Sequence, residues 1–124
     1  MGQLIVQKYG GSSVADPEKI KNVARRVAAS AALGHRLVVV VSAMGKTTDG
    51  LVALAHAITA TPDPREMDMV LATGEQVTIG LLAMALHSLG QPACSFTGSQ
   101  VGMVTDGVHT SARIRRITWI ADAP

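Results

Sequence analysis

Four valines in succession constrain this chain more than any other feature. Leu37-Val38-Val39-Val40-Val41 sets five apolar residues side by side, four of them β-branched, with no polar interruption. Branching at Cβ stiffens the side chain and favours extended backbone. A strand with one wet face would alternate polar with apolar residues; one without alternation is expected to be covered on both faces, as in a parallel sheet. Parallel strands need a crossover, and the residues upstream supply one. Leu4, Ile5 and Val6 form a second short apolar run, which stops at Tyr9-Gly10-Gly11-Ser12-Ser13. Asp16-Pro17 then offers a helix cap and a first-turn proline, and Ile20, Val23, Ala24, Val27, Ala28 and Ala31 recur at helical spacing until Gly34. Strand, helix and strand make a βαβ unit.

Downstream of the valines, 42–48 reads as a loop leading into a helix with Leu51, Val52, Leu54, Ala55 and Ile58 on its buried side. Thr61-Pro62-Asp63-Pro64 ends it. A third helical tract, 66–87, carries Met67, Val70, Leu71, Val77, Leu81, Leu82, Met84, Ala85 and Leu86; Gly74 is expected to divide it and Gly90 to close it. Three short stretches, 93–97, 101–105 and 112–119, read as strands. The fold class is α/β: a three-layer α/β/α sandwich with helices on both faces of a sheet that begins parallel and becomes mixed.

With 124 residues, 48% of them hydrophobic and 16% charged, the chain is one domain or part of one, able to bury a core and too apolar for disorder. Cys94 stands alone and the histidines at 35, 56, 87 and 109 are scattered, which excludes a disulfide scaffold and a zinc finger and leaves no metal site to expect. Cys94 reads as a small buried hydrophobe, and His56 and His87 as neighbours of the core. A net charge of +2 without a basic block gives no sign of nucleic-acid binding, and Arg113, Arg115 and Arg116 read as the wet side of one strand. The valine run falls far short of the roughly 20 residues of a membrane span. With no basic leader or long apolar segment at the start, the expected compartment is the cytoplasm.

Three glycine-bearing loops compete as phosphate binders. Lys8-Tyr9-Gly10-Gly11-Ser12-Ser13 follows the first strand and combines a mobile cation, two glycines that let backbone approach a phosphate, and hydroxyl donors. An ordinary turn beside a solvated lysine has the same composition. Gly45-Lys46-Thr47 looks like the end of a P-loop, but the first glycine that motif requires is replaced by Val40, inside the strand. Thr97-Gly98-Ser99-Gln100 would pass for a hairpin turn. Glu75 lies in the apolar segment Leu71-Ala72-Thr73-Gly74-Glu75-Gln76-Val77-Thr78, where a carboxylate beside a glycine could take a substrate ammonium or simply be solvated near a helix start. No G-x-G-x-x-G, G-x-S-x-G or H-E-x-x-H pattern occurs.

Taken together these segments carry a resemblance. Gln7-Lys8-Tyr9-Gly10-Gly11-Ser12-Ser13-Val14 resembles the opening strand and loop of the aspartate kinases, members of the amino-acid kinase superfamily. Val41-Ser42-Ala43-Met44-Gly45-Lys46-Thr47-Thr48-Asp49 resembles that family's second-strand loop. Arg65-Glu66-Met67-Asp68 with Thr73-Gly74-Glu75 is similar to its substrate-side helix, and Ser95-Phe96-Thr97-Gly98-Ser99-Gln100 with Asp106-Gly107 to its next loop. The likeness runs over roughly residues 3–114 and is strongest to the bacterial lysine-sensitive type. It implies phosphoryl transfer from MgATP to the side-chain carboxylate of L-aspartate, giving 4-phospho-L-aspartate for lysine, threonine and methionine synthesis. By the same resemblance Lys8 would neutralise charge on the moving phosphoryl group, and Lys8, Tyr9, Gly10, Gly11 and Ser12 would hold ATP. Thr48 and Glu75 would hold the amino acid.

The resemblance also implies that residues 1–124 form the amino-terminal part of an amino-acid kinase domain. The family's later Gly-Arg-Gly-Gly-Ser-Asp segment, its adenine-binding segment and its ACT regulatory domains have no counterpart here, and the likeness fades across Thr118 to Pro124. The complete enzyme is expected to be a homo- or hetero-oligomer, and the 124 residues alone to be inactive. A non-catalytic nucleotide- or subunit-binding fragment is the alternative.

Overall fold

The computed structural model describes residues 2–118. Strand β1 (Leu4–Tyr9) leads through a 3-10 turn (Gly11–Val14) into helix α1 (Pro17–Ala32), then strand β2 (Arg36–Val41). Helices α2 (Thr47–Ile58) and α3 (Pro64–Ser88) follow, then strands β3 (Met103–Thr105) and β4 (Ile114–Ile117). The expected βαβ unit is present: β1 and β2 pair in parallel, with Leu4 opposite Arg36 and Tyr9 opposite Val41. Asp16 caps α1 by accepting from the Lys19 amide at 2.8 Å. Asp63 does the same for α3, accepting from the Glu66 amide at 3.1 Å, and in both helices proline follows the cap. Each carboxylate satisfies an amide that the first turn leaves without a partner.

The valine run is not covered on both faces. Tyr9 and Val41 are buried, and Leu37 and Val39 are half-buried, on the face that meets α1. Leu4, Val6, Lys8, Val38 and Val40 point the other way and are exposed, Val6 at 66%. The core consists of Tyr9, Val14, Ile20, Val23, Ala24, Val27 and Val41 closed by Leu82 and Leu86 of α3, so both packing helices serve one face. Five apolar residues in a row therefore made a strand with one apolar face inside and one outside.

Other expectations change in the same way. Gly74 does not divide α3, which runs unbroken for 25 residues. A Cβ at Gly74 would lie 2.9 Å from the Cβ of Ala43 and 3.6 Å from a Leu51 methyl, so the glycine is there for close packing. The helix before it, α2, buries no residue: Leu51, Val52 and Ala55 are half-covered by α3, while Leu54 and Ile58 are exposed at 64% and 87%. No described element lies beneath them. Helix α3, unlike the short valine run, meets the length and hydropathy of a membrane span. It buries Gly74, Thr78, Leu82 and Leu86 along one stripe, in the manner of a core helix.

In place of a single mixed sheet, the described residues hold two separate two-stranded sheets, β1–β2 and the antiparallel β3–β4. Residues 93–97 are not a strand, and 101–102 belong to a turn. There the Gly98 carbonyl accepts from the Met103 amide at 2.9 Å and the Gln100 side chain accepts from the Thr97 amide at 2.9 Å. Local partners of this kind compete with a ladder for the same backbone groups. Cys94 is exposed, not buried. His56 and His87 are exposed too, and the His87 ring bonds the Ala93 carbonyl at 2.7 Å. Trp119, placed in the last expected strand, lies outside the described residues.

Candidate functional site

Parallel pairing puts the carboxyl ends of β1 and β2 together, and ligands of open α/β sheets bind beyond that edge. The loops that leave those ends are stitched to each other. The Ser42 amide donates to the Tyr9 carbonyl at 3.2 Å, and the Gly45 amide to the Gly11 carbonyl at 2.9 Å. A side chain at Gly11 is excluded by that approach, since its Cβ would stand 2.9 Å from the Ala43 carbonyl oxygen and 3.1 Å from that of Gly45. Ala43, 3% exposed, thus touches the first loop through its backbone and α3 through its methyl. Three segments, 10–14, 42–46 and the α3 turn around Gly74, meet at this alanine. Sequence reasoning gave Ala43 no role; its only signal was that the residue is small within a loop motif.

Lys8 is exposed at the carboxyl end of β1, on the open face of the sheet, and makes no ion pair among the described residues. Gly10 and Ser12 are exposed beside it, and a Cβ at Gly10 would meet nothing within 4 Å. Tyr9 faces the opposite way. Its ring is buried, its hydroxyl donates to Gln7 at 2.9 Å, Gln7 donates onward to Ser30 at 3.1 Å, and the Arg26 guanidinium lies 5.7 Å from the ring centroid. What Tyr9 can offer a ligand is therefore backbone. A groove of about 460 Å³ runs between β1 and α1, lined by Gln7, Lys8, Tyr9, Arg26, Ala29 and Ser30.

Thr48 is exposed in the first turn of α2, and Glu75 is half-buried on α3 beside the packed Gly74. It is the neighbouring Thr47 whose methyl reaches the Gly74 position, at 3.7 Å. Lys46 is exposed at the cap of α2. Among the described residues no three His, Cys, Asp or Glu side chains gather as a metal site.

One contact was missed altogether. Asp68, in the first half of α3, accepts from the Thr110 amide at 3.0 Å and pairs with the His109 ring at 2.9 Å. The Thr110 amide and then His109 hold its carboxyl below the ordinary aspartate value. Asp106 closes the same loop from within, accepting from the Val108 amide at 3.1 Å and the Arg113 amide at 3.3 Å. The partners of Asp68 are about 40 positions away, beyond the reach of spacing arguments.

The arrangement offers a free cation and hydroxyls at one strand end, with a carboxylate on the helix that packs against the adjoining loop. That is a set of groups suited to holding a polyanion near an ammonium. Known proteins resemble this chain over most of its length. The chain is 60% identical over 114 residues to aspartokinase 2 of Bacillus subtilis and 55% identical over 115 residues to an aspartokinase of Mycolicibacterium smegmatis. Those matches cover 92% and 93% of this chain but 28% and 27% of the relatives, so it spans just over a quarter of their length. A crystal structure of aspartate kinase from Synechocystis superposes with a TM-score of 0.78 at 58% identity, covering 80% of this chain and 17% of that one. The family model described as the amino acid kinase family matches residues 3–121, and with the βαβ unit and its joined loops in place, the chain belongs to the amino acid kinase family.

Proposed function

We propose that this chain supplies the amino-terminal part of an aspartate kinase site, transferring the terminal phosphoryl group of ATP to the side-chain carboxylate of L-aspartate. The observation that carries this reading is the meeting of three segments at Ala43, which brings the Lys8 loop, the Thr48 loop and the Glu75 helix to one end of the sheet. The names of the relatives support it.

In this reading Lys8, Gly10, Gly11 and Ser12 hold the phosphates, with Tyr9 contributing backbone alone. The fit rests on Lys8 and Ser12 being exposed, on the open space at Gly10, and on a 3-10 turn whose first amides have no carbonyl within it to reach. With no carboxylate cluster among the described residues, Mg²⁺ would arrive on the nucleotide, where it offsets phosphate charge. Lys8 acts as a point charge on the transferring group, stronger in the transition state than before it. Glu75 fixes the substrate ammonium and Thr48 donates to its carboxylate. The domain as a whole would be the three-layer sandwich, acting in the cytoplasm within an oligomer.

A non-catalytic nucleotide- or subunit-binding fragment is the second reading. A chimera separates them: the matching segment of Bacillus subtilis aspartokinase 2 is replaced by this one and aspartyl phosphate is trapped with hydroxylamine. The chimera is expected to turn over and the 124 residues alone to be silent. A folded but dead chimera, beside nucleotide binding by the isolated chain, would support the second reading.

A further inference from the structure

Thr110 is the one non-glycine residue with a left-handed backbone among those described, at φ 64. A β-branched residue adopts that conformation rarely, because its side chain crowds its own backbone. Something must hold it there, and the amide of this same residue donates to both carboxylate oxygens of Asp68, at 3.0 and 3.1 Å. His109 adds a third contact to the same carboxylate. These are charge-assisted bonds from one helix side chain to two consecutive residues of the loop between β3 and β4.

The position of Asp68 on α3 gives the contact its meaning. Residues seven apart on an α-helix lie within about 20° of the same face, roughly 10 Å apart along the axis. Asp68 and Glu75 are such a pair, with Leu71 between them on that face. The loop is therefore fastened to the face of α3 that carries the carboxylate assigned to substrate, two turns before it. Asp106 keeps the loop stiff by taking the Val108 and Arg113 amides, so fastening 109–110 places the whole of 106–113.

We propose that Asp68 is a positioning residue: by clamping the His109–Thr110 turn in a strained conformation, it holds the 106–113 loop as one wall of the amino-acid subsite beside Glu75. The proposal rests on the aspartate kinase reading for the identity of the subsite, while the clamp itself stands on geometry alone. Without the clamp, Thr110 relaxes toward negative φ, the loop leaves α3, and aspartate must select the docked minority before it binds.

The test uses the chimera described above. Asp68→Ala is expected to raise amide exchange in 106–113 and to raise KM for aspartate by about tenfold, with kcat and KM for ATP within about twofold. Asp68→Asn keeps an acceptor oxygen without the charge and is expected to fall between the two; it also serves if the alanine variant folds poorly. Unchanged exchange in 106–113 overturns the clamp. Faster exchange with an unmoved aspartate KM, or an equal rise in both Michaelis constants, overturns the assignment to the amino-acid subsite. A wild-type chimera without turnover brings down the functional reading, and this subsite with it, whatever the exchange data show.

Discussion

The two faces of the β1–β2 sheet differ more than their residues do. Val39 and Val41 lie on the covered face, and Val38 and Val40 on the open one. The same side chain is thus core on one side and surface on the other, one position apart. A continuous apolar run indicates that both faces are suited to burial; it does not show that both are covered by the residues at hand. The difference also divides Lys8 from Tyr9. Adjacent in one motif, they emerge on opposite faces, so one is free for a ligand while the other anchors the strand to α1 through Gln7 and Ser30.

The comparison is tested hardest at Lys8. In the chimera, Lys8→Ala is expected to lower kcat by about a hundredfold or more while aspartate KM moves little, because the charge acts on the developing transition state. Lys46→Ala should stay within a few-fold, and steady-state kinetics that reversed this order would reinstate the second loop as the phosphate binder. The next effect is on stability. Ile20→Ala beneath the covered face should cost about 2–4 kcal/mol, and Val6→Thr on the open face less than about 0.5 kcal/mol, read from denaturant midpoints. Comparable losses would mean that Val6 is covered in solution.

Helix α3 repeats the division, with Gly74, Thr78, Leu82 and Leu86 covered and Val77 and Met84 exposed. Glu75 sits on the border. Glu75→Gln should raise aspartate KM by about tenfold through loss of a charge-assisted bond, and an unchanged aspartate dependence would remove it from the site. Asp68 is the other border residue, and what it sharpens is a pH dependence. Its carboxyl is held down by Thr110 and His109 in the folded chain, so the clamp is fully present above the unfolded aspartate value of about 3.9 and is lost as pH falls through the lower folded value. Amide protection in 106–113 should persist at pH 5 and fade only in stronger acid. Arg65 and Glu66, paired on the first turn of α3, are the charges to neutralise by mutation if the profile is displaced.

What could be read in advance was local. Asp16-Pro17, the helical spacing from Ile20 to Ala31 and the βαβ order follow from rules that act within a few residues, and all three hold. The loops after β1 and β2, too, lie where strand order put them, whereas the loop at 97–100 does not join two strands. What escaped was set by contacts between distant residues. Gly74 looked like a break because glycine weakens a helix, yet here it admits Ala43 from another loop. Residues 93–97 carried strand composition but pair with no strand among the described residues. Asp68 carried no sign of His109, since nothing in either residue's surroundings marks a partner so far along the chain.

The parallel register between β1 and β2 has a consequence for how the chain acquires its structure. Every rung of that ladder joins residues roughly 30 positions apart, and no tight turn can bring them together. The chain between them must first be shortened, and α1 does so: its 16 residues span about 24 Å as a helix, close to the length of the strands it connects. The β3–β4 hairpin closes across a far shorter loop and can zip on the order of microseconds. Loop-closure entropy thus makes the β1–β2 end of the molecule the late event and the hairpin the early one, with the docking of α1 as the step between.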